Sequence, residues 1–178
     1  MTPLGELNAN ELCRKGKPDG NGRPCQTDNK DLTLWRQNTL EAADRNRVKW
    51  VIDDQYAPTD LVTSWPGSAS YTGDSETDIV YQELNPTNPR YVGVTWCDDP
   101  ISATVKCDQA YVRIKGGARF TYAVICHETG HAVGLLHGRD ANPPINDGDD
   151  RLGCLHNPPD NGPIELGSNN RDQINKTY

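Results

Sequence analysis

The chain has 178 residues, enough for one domain of ordinary size with a real core. Its formal charge of −7 and pI near 5.0 argue against nucleic acid as a partner. No apolar run approaches the length needed to cross a membrane, and the start, Met1-Thr2-Pro3-Leu4, has no apolar signal segment and reads as a processed or introduced beginning. Residues 1–30 are polar and rich in turn formers (Gly16, Pro18, Gly20, Gly22, Pro24), which predicts a stapled N-terminal loop. Leu32 to Arg36 reads as a first strand. Leu40 to Gln55 has helical spacing, with Leu40, Ala43, Val48, Val51 and Ile52 on its apolar side, and Pro58 closes it. Further strands are expected at Leu61–Trp65, Asp78–Tyr81, Tyr91–Trp96 and Ala110–Ile114. Gly116-Gly117 breaks the pattern before an apolar helix predicted from about Ala118 to Leu135. A last helix is predicted from about Asn169 to Tyr178, with Ser168 as its N-cap. Trp35, Trp50, Trp65 and Trp96 fall in these elements and are expected to pack in the core.

The apolar helix carries the chemistry. Residues 127–137 spell H-E-x-x-H-x-x-G-x-x-H, a string expected by chance in roughly one chain in 10⁵ of this size from average residue usage. His127 and His131, four apart, share one face of a helix and can aim two imidazoles at one ion. Glu128 points elsewhere and is better placed to hold a water than to ligate. On a continuous helix His137 would lie about 9 Å beyond His131 and on the opposite side. The helix must therefore end and the chain turn back, and Gly134 supplies the residue that tolerates a left-handed C-terminal conformation. Three neutral imidazoles leave a fourth zinc position open for water, the arrangement of a catalytic site. Glu128 can take a proton from that water and pass it to a leaving amine, which makes metal-assisted amide hydrolysis the expected reaction.

At these residues the chain resembles the metzincin clan of zinc endopeptidases, and most closely its small secreted bacterial members. The resemblance implies one Zn²⁺ ion held by His127, His131 and His137, with Glu128 as catalytic base. It implies an α+β (α/β-like) fold of metzincin type: a five-stranded mixed twisted sheet, two long helices above the cleft, and a small loop-rich lower part ending in a C-terminal helix. The upper part would span about 1–137 and the lower about 138–178 of a single catalytic domain. The family's methionine turn departs here, since Met1 is the sole methionine; Leu155, in Gly153-Cys154-Leu155-His156-Asn157-Pro158, stands at the methionine position. That exchange nearly conserves volume, so zinc binding should survive it. Gly138 replaces the serine or aspartate typical of the matrixin and adamalysin subfamilies. The substrate, protein or peptide, would pair with an edge strand, for which Tyr91 to Trp96 is the candidate, with Gly93, Val94 and Thr95 in contact. Leu155 and His156 are candidate contacts on the other side, and the S1′ wall is expected near Leu155 to Pro159.

Six cysteines allow fifteen pairings; their neighbourhoods suggest Cys13–Cys25, Cys97–Cys107 and Cys126–Cys154, and with them an oxidising, secreted setting and a monomer. Two other roles are weighed: Cys126 as a thiolate ligand, and Cys13 in an inhibitory cysteine switch, whose spacing does not fit. Asp140, Asp147, Asp149 and Asp150, with Asn142, Asn146 and Gly148, make an oxygen-rich loop in which calcium is possible, although no EF-hand spacing is present. Two rival functions remain: a catalytically silent binding module on the same fold, and a zinc amidase acting on a non-peptide substrate.

Overall fold

A computed structural model describes residues 12–20, 23–73, 75–85, 88–141 and 143–178; Met1 to Leu4, Gly22 and Asn142 lie outside them. The protein is α+β with a mainly parallel sheet. Its strands are β1 (Gln26–Thr27), β2 (Asp31–Arg36), β3 (Val62–Ser64), β4 (Ile79–Glu83), β5 (Gly93–Pro100) and β6 (Lys106–Ile114). The order is β1-β6-β4-β2-β3, and β5 pairs with β6 antiparallel. Ala110 to Ile114 pair with β4 and also with β5, so these two flank β6 and β5 is the outer strand. Among the described residues the sheet thus has six strands rather than five. The additional one, β1, is two polar residues long and exists only because Gln26 and Thr27 find Lys106 and Cys107 beside them.

Apolar side chains of β2, β4 and β6 (Leu32, Leu34, Ile79, Tyr81, Val112, Ile114) are fully buried. They share a core with Val48, Val51, Ile52 and Tyr56 of the first helix and with Val124, Ile125 and Cys126 of the second. Helix α1 covers Ala42–Val51 and continues as a π-helical turn over Ile52–Tyr56. Helix α2 covers Tyr122–Ala132, shorter at both ends than its apolar pattern predicts. It begins where Thr121 accepts a hydrogen bond from the Val124 N–H; Ala118 belongs to a separate turn, Gly117–Arg119. Helix α3 covers Ser168–Thr177, with Gly167 rather than Ser168 at the N-cap and no side-chain cap. Asn170 ties it down by donating to the carbonyls of Leu152 and Leu166. No helix among the described residues is long and apolar enough to cross a membrane.

The tryptophans divide. Trp96 is buried and stacks on Tyr111, Trp35 and Trp65 are half-buried, and the Arg36 guanidinium lies 4.3 Å over the Trp65 ring. Trp50 is not core: it is 40% exposed and meets Tyr122 edge-on.

Asp78 enters the core just ahead of β4, where its carboxylate accepts from the Thr33 N–H and hydroxyl at 2.7 and 2.6 Å. Burial outweighs these bonds and pushes its carboxyl from 3.8 up to about 6. Between those values the folded chain holds more protons than the unfolded one, so this group's contribution falls as pH rises from about 4 to about 6. Asp78→Asn is therefore expected to flatten the decline in stability across that range, measured by urea unfolding at stepped pH. An unchanged slope would contradict this assignment.

Candidate metal centre

Helix α2 ends in a closed Schellman turn. The Leu135 N–H donates to the Gly130 carbonyl at 2.8 Å, the Gly134 N–H donates to the His131 carbonyl at 3.1 Å, and Gly134 has φ +93°. The reversal returns His137 to the face that carries His127 and His131. A side chain at Gly134 would also press on Gln26, so the strand leading from the N-terminal loop crosses close over this turn. The Tyr178 hydroxyl clasps the same corner, accepting from the Thr27 N–H and donating to the Val133 carbonyl.

The three Nε2 atoms lie 3.0, 3.1 and 3.1 Å from one another. Tetrahedral zinc with bonds of about 2.0–2.1 Å places its nitrogen ligands about 3.3 Å apart, so one ion fits the cluster. The outer nitrogens explain the convergence. His127 Nδ1 meets the Cys154 carbonyl at 2.9 Å and His131 Nδ1 meets the Leu135 carbonyl at 2.8 Å. A carbonyl can only accept, so both Nδ1 atoms carry the proton and both Nε2 atoms present lone pairs. Lone pairs facing one another repel unless a cation lies between them. Burial lowers all three imidazoles, with His137 the next cause at His127, which is brought to about 3; neutral rings are the form that ligates.

Glu128 is buried beside this cluster. Its Oε2 accepts from the Thr95 hydroxyl at 2.7 Å, and the same hydroxyl oxygen is 2.9 Å from the Glu128 backbone carbonyl. Burial raises the carboxyl to about 7 against the lowering effect of Thr95. A carboxylate so placed, with a cation on the histidines favouring its ionised form, can take and return a proton. Gly93 leaves room for it, because a Cβ at that position would lie 2.5 Å from Glu128 Oε1. Thr95 and Gly93 thus position Glu128, in addition to lining the cleft.

The cleft has a volume of about 470 Å³. Its walls include the three histidines and Glu128, Tyr91 and Val92 just ahead of β5, Gly93 to Thr95 at its start, and Asn157, Pro158 and Pro159. Gly93, Val94 and Thr95 therefore face it. Leu155 does not: it is 0% exposed and packs beneath Gly130, supporting the floor of the helix. His156 is half-buried against Gly148 and is not among the lining residues. Sequence patterns gave no hint of Gly20, Arg23 and Pro24 at one end of the cleft, or of Asp160, which ion-pairs with Arg119. Only the short Cys13–Cys25 loop hinted that the N-terminal segment is held in place.

All three suggested disulfides are present, so Cys126 is not a thiolate ligand and Cys13 is not a free switch cysteine. Gly138 follows the third histidine for lack of space. An added Cβ would lie 2.8 and 2.9 Å from the Asn146 and Ile145 carbonyl oxygens, leaving no room for serine or aspartate. The calcium expectation for the acidic loop finds no support in the geometry. Asp147 is bound by Arg139 and Asp149 by Arg151, and no three acidic groups of this loop converge among the described residues.

No protein-family model matches the sequence, and no curated protein is significantly similar to it. Similar solved structures do exist. The crystal structure of myroilysin aligns with a TM-score of 0.53 at 12% identity, over 98% of this chain and 93% of that one. A second structure of myroilysin aligns with a TM-score of 0.41 at 13% identity, over 77% of this chain and 59% of that one. At 12% identity the first likeness is one of fold.

Proposed function

We propose that this protein is a secreted zinc endopeptidase of metzincin type, acting on proteins or peptides as one catalytic domain, with His127, His131 and His137 as ligands and Glu128 as general base. The observation that carries the proposal is the conjunction in one cleft of three converging Nε2 atoms, a buried carboxylate beside them, and the outer strand β5. The fold shared with myroilysin is consistent with it. Three disulfides favour an oxidising, extracellular setting.

Bound zinc would polarise a substrate carbonyl and acidify water. The chain supplies the rest. Thr95 engages Glu128 Oε2, leaving Oε1, beside Gly93, to take a proton during attack and hand it to the departing amine. The outer edge of β5 offers backbone groups to an extended peptide, which would add as a further strand. Chelation is expected to abolish cleavage of quenched peptides, and zinc to restore it. Gly93→Ala is expected to lower kcat/KM by at least about tenfold with zinc content unchanged, because its Cβ displaces the base and not the ligands. Activity at the wild-type level in that variant would remove Gly93 from the account. A zinc amidase on non-peptide amides is tested by including peptidoglycan fragments among the substrates.

A further inference from the structure

A second cluster of acidic groups lies away from the histidines, where the β5–β6 ladder slips twice. Cys97 faces Ala110, Asp99 faces Gln109 and Pro100 faces Cys107, so Asp98 on one strand and Asp108 on the other fall at the irregularities of the ladder. Against this irregular end packs the loop that leads into β4. Gln109 holds the base of that loop, its side-chain amide donating to the Ser70 and Thr77 carbonyls at 2.9 and 3.0 Å. Thr77 closes the loop on itself, donating from its N–H to the Ser70 carbonyl.

The anchored loop carries Glu76 into the cluster. Carboxylate oxygens of Glu76, Asp99 and Asp108 all lie within 4.8 Å of one another. Glu76 is only 8% exposed, and its Oε2 is buried without a hydrogen-bond partner among the described residues. Lys15 reaches this end of the sheet but ion-pairs with Asp98 at 3.3 Å. Burial, then Asp99, Asp108 and Asp98, hold the Glu76 carboxyl above its ordinary value against the lowering effect of Lys15, the direction expected where carboxylates outnumber cations.

We propose that Glu76, Asp99 and Asp108 bind one hard divalent cation, calcium, which staples the loop ahead of β4 to the bulged end of the β5–β6 hairpin. Calcium takes oxygen ligands at about 2.3–2.6 Å, so one ion can touch three oxygens spaced within about 5 Å. An all-oxygen donor set disfavours zinc, which the three imidazoles take instead. The mixture of a buried and an exposed carboxylate suits calcium, which completes its shell with water, better than magnesium, which demands near-ideal octahedral geometry. The site is independent of the zinc centre and of any peptidase activity.

The test uses protein stripped of metals with a chelator, moved into calcium-free buffer and given back one equivalent of zinc, then titrated with calcium chloride in a calorimeter and melted with and without the ion. Wild type is expected to bind one calcium per chain and melt at a higher temperature with it. Glu76→Gln is expected to bind at least about tenfold more weakly and to lose the thermal increment. Without calcium it should melt no lower than wild type, because a buried carboxylate facing two others has gone. Asp99→Asn, at an exposed position that leaves the core untouched, is expected to weaken binding by a similar factor and decides the matter if Glu76→Gln does not fold. Asp147→Asn, in the other acidic loop, should bind calcium as wild type does. Failure of wild type to bind calcium, or binding at wild-type affinity in Asp99→Asn, would overturn the proposal.

Discussion

Glu128→Gln is expected to lower kcat/KM on peptide substrates by about 10²–10⁴-fold while leaving zinc content and melting temperature near those of wild type. The glutamine is isosteric, and its carbonyl oxygen can still accept from the Thr95 hydroxyl, so the site keeps its shape. What disappears is the group that takes a proton. The native carboxylate, buried beside the three histidines, is the group in this cleft that can take a proton and return it. His127 and His131 draw their orientation from the carbonyls of Cys154 and Leu135, which this substitution does not touch. The check is steady-state hydrolysis of a quenched peptide beside metal analysis of the same sample. A variant within tenfold of wild type would mean that Glu128 is not the base.

The second large effect is expected on stability. Cys126 and Cys154 close a loop of 28 residues between the start of the zinc-binding string and the turn beneath it. Replacing both with alanine should destabilise the fold by about 3–4 kcal/mol through the regained freedom of the unfolded chain. It should also weaken zinc. The Cys154 carbonyl is the partner of His127 Nδ1, and loosening an outer partner of this kind typically costs about 10–100-fold in metal affinity. Tyr56 donates to the Cys126 carbonyl at 2.6 Å, so one end of the link keeps a second anchor and the Cys154 end should loosen more. Urea unfolding and zinc competition titration measure the two effects. A loss below 1 kcal/mol with zinc affinity unchanged would show that packing alone holds the turn.

Much of the centre was legible because its logic is local. Helical spacing sets His127 and His131 on one face, and a glycine just past the last helical turn announces the reversal that brings back His137. The cysteines were legible for a related reason: two of the three bridges close loops of 12 and 10 residues. What escaped depends on contacts between segments distant in the chain. The pairing of Gly93 and Thr95 with Glu128 joins β5 to α2, and no pattern within either element announces it. Leu155 stands at the methionine position but lies under Gly130, out of reach of a ligand in the cleft, and only its burial reveals this. Helix α2 begins at Tyr122 because the Thr121 hydroxyl competes successfully with an apolar pattern that continues upstream. Strand β1 is only two residues long, too short to show a pattern, and is set by its pairing with β6. Trp50 turned out exposed because α1 presents that position to solvent and to Tyr122.

The silent-module alternative drew on the absent methionine. The structure weakens that motive, since Leu155 fills the space beneath α2 and Cys154 still holds His127. The measurement that bears most directly on the central claim is mass-spectrometric mapping of cleavage in a diverse peptide library, run with metal-free protein, with protein given one equivalent of zinc, and with Glu128→Gln given the same. Internal peptide-bond cleavage is expected in the zinc-loaded wild type alone. Zinc-loaded wild type that cleaves nothing, or a Glu128→Gln sample that cleaves equally, would contradict it.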